Sequence, residues 1–179
     1  MSARPSNFNQ TEFRQALGRF ATGVTIITTA HPDTGEPLGI TVSSFNSLSM
    51  TPPLVLWNLQ TSSSLLEVFK RVERYNIHVL SAEQMALAAQ FSRGPQTQRF
   101  DNVEYSLNEF GLPKLAEYCS AAWFECYNRS RYLEGDHLIM VGQVERCDHS
   151  DHMPLVFHAG SFDLTPIRPK QSKQDSSCE

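Results

Sequence analysis

The stretch at 24–45, VTIITTAHPDTGEPLGITVSSF, decides the fold prediction. Its first six residues, Val24 to Thr29, are all β-branched, which favours a strand because branched side chains pack well on a pleated sheet. His31 to Gly35 is a turn by composition, and Leu38 to Phe45 returns to a strand pattern. The stretch therefore predicts an antiparallel hairpin.

The segments around this hairpin predict more strands and only a few short helices. A helix is predicted at 9–20, because apolar residues recur at helical spacing from Phe13 to Phe20 and Asn9 or Thr11 can cap its start. The further predictions are strands at 54–59, 76–80, 121–132, 137–147, 155–158 and 161–164, helices after the serines 62–64 and at 82–91, and a long loop at 92–110.

This pattern predicts a mainly β fold. Strands outnumber helices and turn signals recur often, which favours an antiparallel barrel or sandwich with peripheral helices over an alternating βαβ fold. Trp57 and Trp123 lie in apolar strand runs and are predicted to be core residues.

Length and composition indicate one globular domain. The chain has 179 residues, a hydrophobic fraction of 40% and a charged fraction of 19%, which argues against a mostly disordered protein. Its net charge is −4 and no run of Lys or Arg is present, which disfavours a nucleic-acid partner. We expect the domain at 9–166 and a frayed polar tail at 167–179.

The cysteines and the N-terminus suggest a compartment. The four cysteines, at 119, 126, 147 and 178, form no close pair, and the chain is not cysteine-dense enough for a disulfide framework. The polar N-terminus lacks the apolar segment of a signal peptide, and no run approaches the roughly 18 apolar residues of a membrane span. We therefore expect a cytoplasmic protein without a membrane partner.

Several familiar catalytic and binding motifs are absent from the sequence. It contains no G-x-G-x-x-G, Walker, G-x-S-x-G or H-E-x-x-H pattern, so any nucleotide is held by something other than a Rossmann glycine turn. The run from Cys147 to His152 fits no standard zinc spacing and is interpreted as a hydrated turn, so no metal site is predicted.

The segment at 39–53 is the richest candidate for a binding site. It places backbone N–H groups beside small hydroxyls from Thr41 to Ser49 and then enters the proline pair Pro52-Pro53. Small side chains let a flat ligand approach the main chain, and a phosphate or an oxidised ring edge suits such donors. The structural alternative is a Ser/Thr-rich strand and turn without a ligand.

Two shorter segments are further candidates. The carboxamide of Asn58 can read the edge of a heterocycle, and the serines 62–64 precede a predicted helix, where phosphate binds readily. The alternative for the serines is simple helix capping. His137, in the run Gly-Asp-His at 135–137, can contact a ligand, although most single histidines are ordinary surface residues.

A series of motifs appears in a specific order from about Phe13 to Leu164. They include FATGVT at 20–25, GITVSSF at 39–45, NIHVLS at 76–81, LAAQFS at 87–92, RF at 99–100, GDH at 135–137 and PLVFH at 154–158. Together they resemble the short-chain flavin reductase family, which includes the reductase components of two-component flavin monooxygenases. The resemblance covers nearly the whole chain.

The resemblance implies a split β-barrel that binds FMN or FAD between the subunits of a homodimer, with NADH or NADPH as co-substrate. It implies that Thr41, Val42, Ser43 and Ser44 contact the flavin ring and that Asn58 lies near the ring or the ribityl chain. It implies phosphate contacts from Ser62, Ser63, Ser64, Phe91 and Ser92, and a position for His137 near the nicotinamide. Where the family often carries an Arg-Gly-Arg-Tyr-like run, this chain has Ala159-Gly160-Ser161-Phe162.

The implied reaction is hydride transfer from the nicotinamide to the bound flavin, which is itself the redox agent, so no protein residue is expected to act as a catalytic acid, base or nucleophile. A flavin-dependent monooxygenase or another acceptor is expected to take the reduced flavin. Two alternatives are a flavin-binding electron carrier of the same fold that does not oxidise NAD(P)H, and a binding module of this barrel without a redox role.

Overall fold

The predicted hairpin forms one edge of the main sheet. In the computed structural model, which describes residues 6–116 and 120–163, strand β2 (Thr25–Ala30) pairs antiparallel with β3 (Pro37–Val42) in the register Thr25 to Val42. The turn between them closes through Gly35, whose φ of +74° favours glycine and whose N–H donates to the His31 carbonyl at 2.8 Å.

The remaining elements follow the predicted alternation of many strands with few helices. In chain order they are α1 (Gln10–Leu17), β1 (Thr22–Gly23), β2, β3, β4 (Asn46–Met50), β5 (Pro53–Gln60), α2 (Leu66–Arg71), β6 (Arg74–Leu80), a 3₁₀ turn (Ala82–Gln84), α3 (Met85–Ser92), α4 (Gln96–Arg99), β7 (Tyr105–Leu107), β8 (Pro113–Leu115), β9 (Ser120–Glu134), β10 (His137–His149), β11 (Val156–His158) and β12 (Ser161–Asp163). The mainly β fold with peripheral helices is confirmed.

Seven strands form one antiparallel sheet in the order β3-β2-β6-β9-β10-β5-β4. The long β9–β10 hairpin lies at its centre, and β3 and β4 are its edges. Leu38 and Val42 of β3 share a core cluster with Val55 and Trp57 of β5, so strands from opposite sides of the sheet wrap around one interior, as a barrel requires. A second sheet, β1-β11-β12, lies beside it.

Two clusters of apolar side chains hold the sheet and its helices together. The first centres on Trp57, Phe69 and Tyr75, whose rings meet edge to face with centroids 4.9 to 6.3 Å apart. The second lies under α3 and includes Ile26 and Phe91. Successive residues of a strand point to opposite faces, so Ile27 joins the first cluster and Ile26 the second. This explains the unbroken β-branched run of β2.

Several local predictions need correction. No strand is predicted for residues 46–50, but they form the edge strand β4, and the long loop predicted at 92–110 contains α4 and β7. The serines 62–64 do not cap a helix with their side chains, because α2 begins at Leu66 and its N-cap, Leu65, makes no side-chain capping bond. The Ser63 hydroxyl instead accepts a bond from the Leu65 N–H at 3.2 Å.

The first helix and the second tryptophan also differ from the prediction. Asn9 caps α1 as expected, in a capping box with Glu12, but all residues of the helix are exposed, including its apolar residues Phe13 and Leu17. Trp57 is fully buried, whereas Trp123 is only partly buried and stacks under the Lys114 ammonium at 3.3 Å. The predicted tail at 167–179 lies outside the described residues.

Candidate functional site

A cleft of about 570 Å³ opens where β3 ends, between α3 and the β11–β12 hairpin. We call it the β3 cleft. Its lining residues come from the link between β1 and β2, from β3 and α3 with the residue after each, and from the β11–β12 hairpin, and they are Val24, Thr41, Val42, Ser43, Ala89, Ser92, Arg93, Phe157, Gly160, Ser161 and Phe162. Arg93 is the one ionisable side chain among them, so the wall consists mainly of hydroxyl, apolar and aromatic groups.

Hydrogen bonds fix the wall of the cleft that β3 and α3 form. The Thr41 hydroxyl donates to the Ala88 carbonyl of α3 at 2.7 Å, and the Ser92 hydroxyl donates to the Ala89 carbonyl at 2.8 Å. The edge of β3 is covered at Gly39, whose N–H donates to Gln96 at 3.2 Å and whose carbonyl accepts from Arg99 at 2.7 Å. These bonds satisfy backbone groups that an edge strand otherwise exposes, and they fix the position of the cleft wall.

Arg99 is a buried cation within this wall. Its side chain bonds only to carbonyl oxygens among the described residues, those of Gly39 and of Gly94 at 3.3 Å, and burial lowers the pKa of its guanidinium. The carbonyl dipoles stabilise the charge in place of a carboxylate. Arg99 therefore anchors the segment that carries Ser92 and Arg93.

Ser43 differs from the other predicted hydroxyl residues of the cleft. It is exposed, and its hydroxyl makes no hydrogen bond within the described part of the chain. Ser44, by contrast, is tied to β5, because its hydroxyl accepts from the Asn58 N–H at 2.9 Å and lies 3.3 Å from the Asn58 carbonyl. Ser43 therefore keeps its full hydrogen-bonding capacity toward the cleft.

The Ser44 contact links the first predicted segment to the second. Asn58 does not line the β3 cleft, but its Oδ1 atom is buried and has no hydrogen-bond partner among the described residues. A buried acceptor without a partner costs free energy, so a donor from a ligand, a water molecule or a second subunit would stabilise this amide.

The structure brings the second and third predicted segments together. β5 pairs with β10 so that Gln60 lies opposite His137, and the N–H and hydroxyl of Thr61 both donate to the Asp136 carbonyl, at 2.9 and 3.0 Å. The serines 62–64 follow directly on this junction. None of residues 62–64 or 137 lines the β3 cleft.

His137 is held by its neighbour at the start of β10. Its Nδ1 atom lies 2.7 Å from an Asp136 carboxylate oxygen, and this hydrogen bond holds the pKa of the Asp136 carboxyl below its usual value. The imidazole is partly exposed, so Nε2 remains free for a further contact. Among residues 6–116 and 120–163, no group of three or more His, Cys, Asp or Glu side chains is placed to hold a metal ion.

Phe91 lies away from the cleft surface. It is fully buried in the second core cluster, packs edge to face on Phe100 and occupies the space that a Cβ atom at Gly39 would need. Its side chain cannot close over a ligand in this position. Its contribution is to seat α3, and with it Ser92, against β3.

The predicted site residues include four of the eleven residues that line the cleft, Thr41, Val42, Ser43 and Ser92. Arg93 follows a predicted residue directly, but Phe157 and residues 160–162 come from a hairpin more than a hundred positions along the chain from β3. The signal for the hairpin was the motif PLVFH at 154–158 and the departure from the family pattern just after it.

Comparison with known proteins shows the family to which the chain belongs. Residues 17–165 match the model of the flavin reductase like domain, which is most of the chain. The chain therefore belongs to the flavin reductase like family.

Two curated relatives illustrate the range of this similarity. The chain is 42% identical over 158 residues to FMN reductase (NADH) SmoA of Agrobacterium fabrum, covering 88% of this chain and 87% of that protein. It is 34% identical over 157 residues to the reductase component of the flavin-dependent trigonelline monooxygenase of Acinetobacter baylyi, covering 88% of this chain and 49% of that protein. The chain thus spans about half the length of some relatives and most of others.

Solved structures agree with the fold. The NADH:FAD oxidoreductase SgcE6 of Streptomyces globisporus, in complex with NAD and FAD fragments, superposes with a TM-score of 0.82 at 28% identity, covering 96% of this chain and 100% of that chain. The styrene monooxygenase flavin reductase of Pseudomonas putida gives 0.75 at 31% identity, covering 88% and 99%. No helix in residues 6–116 or 120–163 is long and apolar enough to cross a bilayer.

The residues present fit a flavin. A flat ring with a polar edge needs small hydroxyls, free N–H donors and aromatic walls, and the β3 cleft offers Ser43, Phe157 and Phe162. Two buried side-chain atoms near it, Thr22 Oγ1 and Asn58 Oδ1, have no partner in the described residues, and Thr22 lies opposite Phe157 in the β1–β11 ladder. These orphaned groups are consistent with a ligand that completes the site.

Proposed function

We propose that this protein is an NADH-dependent flavin reductase that reduces FMN or FAD in the β3 cleft and supplies the reduced flavin to a monooxygenase. The observation that carries the proposal is the cleft at the end of β3, lined by hydroxyl and aromatic groups with Arg93 as its one ionisable side chain, in a chain whose relatives are named flavin reductases and monooxygenase reductase components. The bound flavin supplies the hydride-accepting ring.

The chain's own residues have the task of holding the ring and its side chain. We assign the ring edge to residues 41–44, with the free hydroxyl of Ser43 as a direct donor and Ser44 acting by fixing Asn58. Asn58 offers its unpartnered carboxamide oxygen. Arg93 suits the phosphate of the flavin because a guanidinium is a strong phosphate donor, and the Ser92 hydroxyl beside it can donate to the phosphate in place of the Ala89 carbonyl. Phe91 supports them from the core.

The remaining site residues, the serines 62–64 and His137, belong to the junction of β5 and β10. They do not line the β3 cleft, and we propose that a homodimer assembles a complete site from both groups. Large apolar side chains remain exposed in the single chain, including Phe20 at 74% and Met50 at 88%, and a subunit interface would cover them. Sedimentation equilibrium tests this: a dimer is expected, and a monomer at micromolar concentration contradicts the assembly.

An anaerobic titration tests the function. Protein loaded with FMN or FAD is mixed with NADH or NADPH while the visible absorbance of the flavin is followed. We expect NADH to bleach the flavin, because stacking two rings in one site makes hydride transfer effectively unimolecular. Flavin that binds but is bleached by neither nucleotide would overturn the reductase and favour the electron carrier, and protein that binds no flavin would favour a module without a redox role.

His137→Ala tests the position assigned to the nicotinamide. We expect flavin reduction in stopped flow to slow by about tenfold while the flavin dissociation constant changes little, because His137 would orient the donor rather than hold the flavin. His152→Ala, at an exposed histidine outside the site, is the matched control. An unchanged reduction rate in His137→Ala would remove His137 from the site.

A further inference from the structure

A second cleft adjoins the β3 cleft on the other side of the β11–β12 turn. It has a volume of about 480 Å³, and we call it the arginine cleft. Helix α1 forms one wall and the hairpin turn forms the other, and the lining residues are Thr11, Arg14, Gln15, Gly18, Arg19, Ala159 and Gly160. Nothing in the proposed flavin site uses these residues except Gly160.

The two arginines of this cleft have no partner in the described structure. Neither the Arg14 nor the Arg19 side chain forms an ion pair or a hydrogen bond within residues 6–116 and 120–163, whereas Arg71, Arg74 and Arg146 all pair with carboxylates. The nearest acid on the helix, Glu12, accepts a bond from the Asn9 N–H at 2.9 Å and is occupied by the capping box. The cleft therefore carries two uncompensated positive charges in a chain of net charge −4.

The turn between the two clefts presents almost no side chain. Ala159 and Gly160 both have positive φ, +51° and +84°, as a two-residue hairpin turn of this kind requires. Gly160 lines both clefts, and no atom lies within 4 Å of the position where its Cβ would stand. A chain of phosphates could therefore pass from one cleft to the other over bare backbone.

The helix is fixed at this position by the same turn. The Ala159 N–H donates to the Gly18 carbonyl at 2.9 Å, and the Cα of Ala159 lies 3.5 Å from where a Cβ of Gly18 would stand. This close approach places Arg14 of α1 and Arg19, just after the helix, beside the hairpin, where both side chains are exposed. On the other side of the turn, Arg93 lines the β3 cleft.

The chemistry of this arrangement suits a diphosphate. A guanidinium matches phosphate oxygens with paired N–H donors, and two unpaired guanidinium groups suit a ligand with more than one negative charge. FMN ends in a single phosphate, which Ser92 and Arg93 can reach, whereas FAD and NADH continue through a diphosphate into an adenosine. The arginine cleft adjoins the β3 cleft at Gly160, so a ligand that extends past the hairpin turn would enter it.

We propose that the arginine cleft binds the adenylate half of a dinucleotide, its diphosphate and adenosine, while the half that bears the redox ring lies in the β3 cleft. Arg14 and Arg19 contact the phosphates. Two dinucleotides share this chemistry, FAD and NADH, and the test distinguishes them. The inference rests on the proposed function, since it takes the β3 cleft to be the place where the rings bind.

The test uses two pairs of ligands whose members differ only by the adenylate: FMN with FAD, and reduced nicotinamide mononucleotide with NADH. Flavin dissociation constants come from fluorescence titration without any nucleotide, and KM values for the two hydride donors come from turnover with FMN. The variant is Arg14→Gln with Arg19→Gln. Arg129→Gln is the control for the loss of a positive charge elsewhere, at an exposed arginine on β9 that bonds only to Gln143 among the described residues, and the single variants Arg14→Gln and Arg19→Gln each match its change in charge.

We expect one dinucleotide to lose about tenfold in affinity while its shorter partner is unaffected, since charge-assisted bonds to a phosphate are lost. Weakened FAD with unchanged FMN identifies the flavin as the occupant, and a raised KM for NADH with unchanged mononucleotide identifies the hydride donor. If neither pair separates, or if both members of a pair weaken equally, the proposal is wrong.

The failure of this inference can be told from failure of the proposed function. Wild-type protein that binds FMN and is reduced by NADH, with a double variant that separates neither pair, overturns the arginine cleft alone. Wild-type protein that binds no flavin overturns both. Unchanged FMN binding in the double variant also shows that the substitutions have not unfolded the protein.

Discussion

Comparison of the β3 cleft with another depression on the same sheet shows how a binding site differs from a structural groove. The depression has a volume of about 400 Å³ and is lined at one end of β2 and β6 by residues that include Ala30, Arg74 and Phe110. We call it the Arg74 cleft. It is the more highly charged of the two, yet its charges are already paired.

In the Arg74 cleft, each arginine is committed within the fold. Arg71 donates to Asp33 at 2.8 Å, and this hydrogen bond lowers the pKa of the Asp33 carboxyl. Arg74 donates to Glu145 at 3.0 Å and stacks over the Phe110 ring with its guanidinium carbon 4.2 Å from the centroid. In the β3 cleft, by contrast, Ser43 and Arg93 keep free donors. What distinguishes the binding cleft is therefore the presence of hydrogen-bond donors without a partner, and not the number of its charged residues.

A bulky side chain introduced into each cleft in turn tests most strongly whether only the β3 cleft binds flavin. Ser43→Phe places a ring in the β3 cleft, and we expect flavin affinity to fall by about a hundredfold because the bulky side chain takes the space of the ligand. Ala30→Phe, the matched substitution in the Arg74 cleft, is expected to leave the flavin dissociation constant unchanged. Equal effects of the two variants in a fluorescence titration would contradict the distinction.

A buried histidine that lines neither cleft provides a reference effect on stability. His78 is buried beside Thr28, whose hydroxyl lies 3.1 Å from its Nε2, and burial, with the nearby charge of Lys114, lowers its pKa from 6.5 to about 3. At a pH between these two pKa values, His78 is protonated in the unfolded chain and neutral in the folded chain. The free energy of unfolding therefore falls as pH falls below about 6.5, by about 1.4 kcal/mol per pH unit from this histidine.

Denaturation of His78→Gln at several pH values checks this effect. We expect the variant to be less stable than wild type at pH 7, and the gap to narrow as the pH is lowered toward about 4.5, because the variant lacks the titrating group. The same substitution at exposed His152 should leave the wild-type profile in place. A gap of constant size would show that the His78 proton does not govern the acid sensitivity.

Asn58→Ala sharpens the account of the β3 cleft. The side-chain oxygen of Asn58 is buried without a partner, whereas its backbone remains fixed by Ser44 whatever the side chain. We expect flavin affinity to fall by about tenfold, the loss of one or two hydrogen bonds, with little change in the free energy of unfolding. Flavin titration and urea denaturation measure the two quantities, and an unchanged flavin affinity would remove Asn58 from the site.

The Arg74 cleft should respond in the opposite sense. Arg74→Gln removes the pair with Glu145 and the stacking on Phe110, and we expect a loss of about 1 kcal/mol in stability because the guanidinium is only partly exposed. The flavin dissociation constant should stay at its wild-type value. A weakened flavin complex in this variant would indicate that the Arg74 cleft takes part in binding.

Local chemistry made much of the fold predictable from the sequence. The β2–β3 hairpin follows from a β-branched run and a turn, the β9–β10 hairpin follows from two apolar and aromatic segments joined by a turn that contains Gly135, and the α1 cap follows from Asn9. Strand β4 was missed because, as an exposed edge strand rich in polar residues, it has the composition of a loop. Its pairing with β5 depends on the sheet and not on its own pattern.

The site was predictable only where one segment carries it. Thr41 to Ser43 lie together in the sequence and together in the cleft, whereas the wall from Phe157 to Phe162 depends on how the second sheet docks. Phe91 shows the limit of motif reasoning, because a motif does not say that the ring packs over Gly39 instead of facing a ligand. The arginine cleft arises from contact between α1 and a hairpin turn that is distant in the sequence. No local sequence pattern predicts this contact.

A crystal structure of the protein with FMN tests the central claim most directly. The account predicts the flavin ring in the β3 cleft, with its polar edge at residues 41–44 and within hydrogen-bond reach of the Ser43 hydroxyl. A ring bound elsewhere, such as in the Arg74 cleft against Phe110, would contradict it.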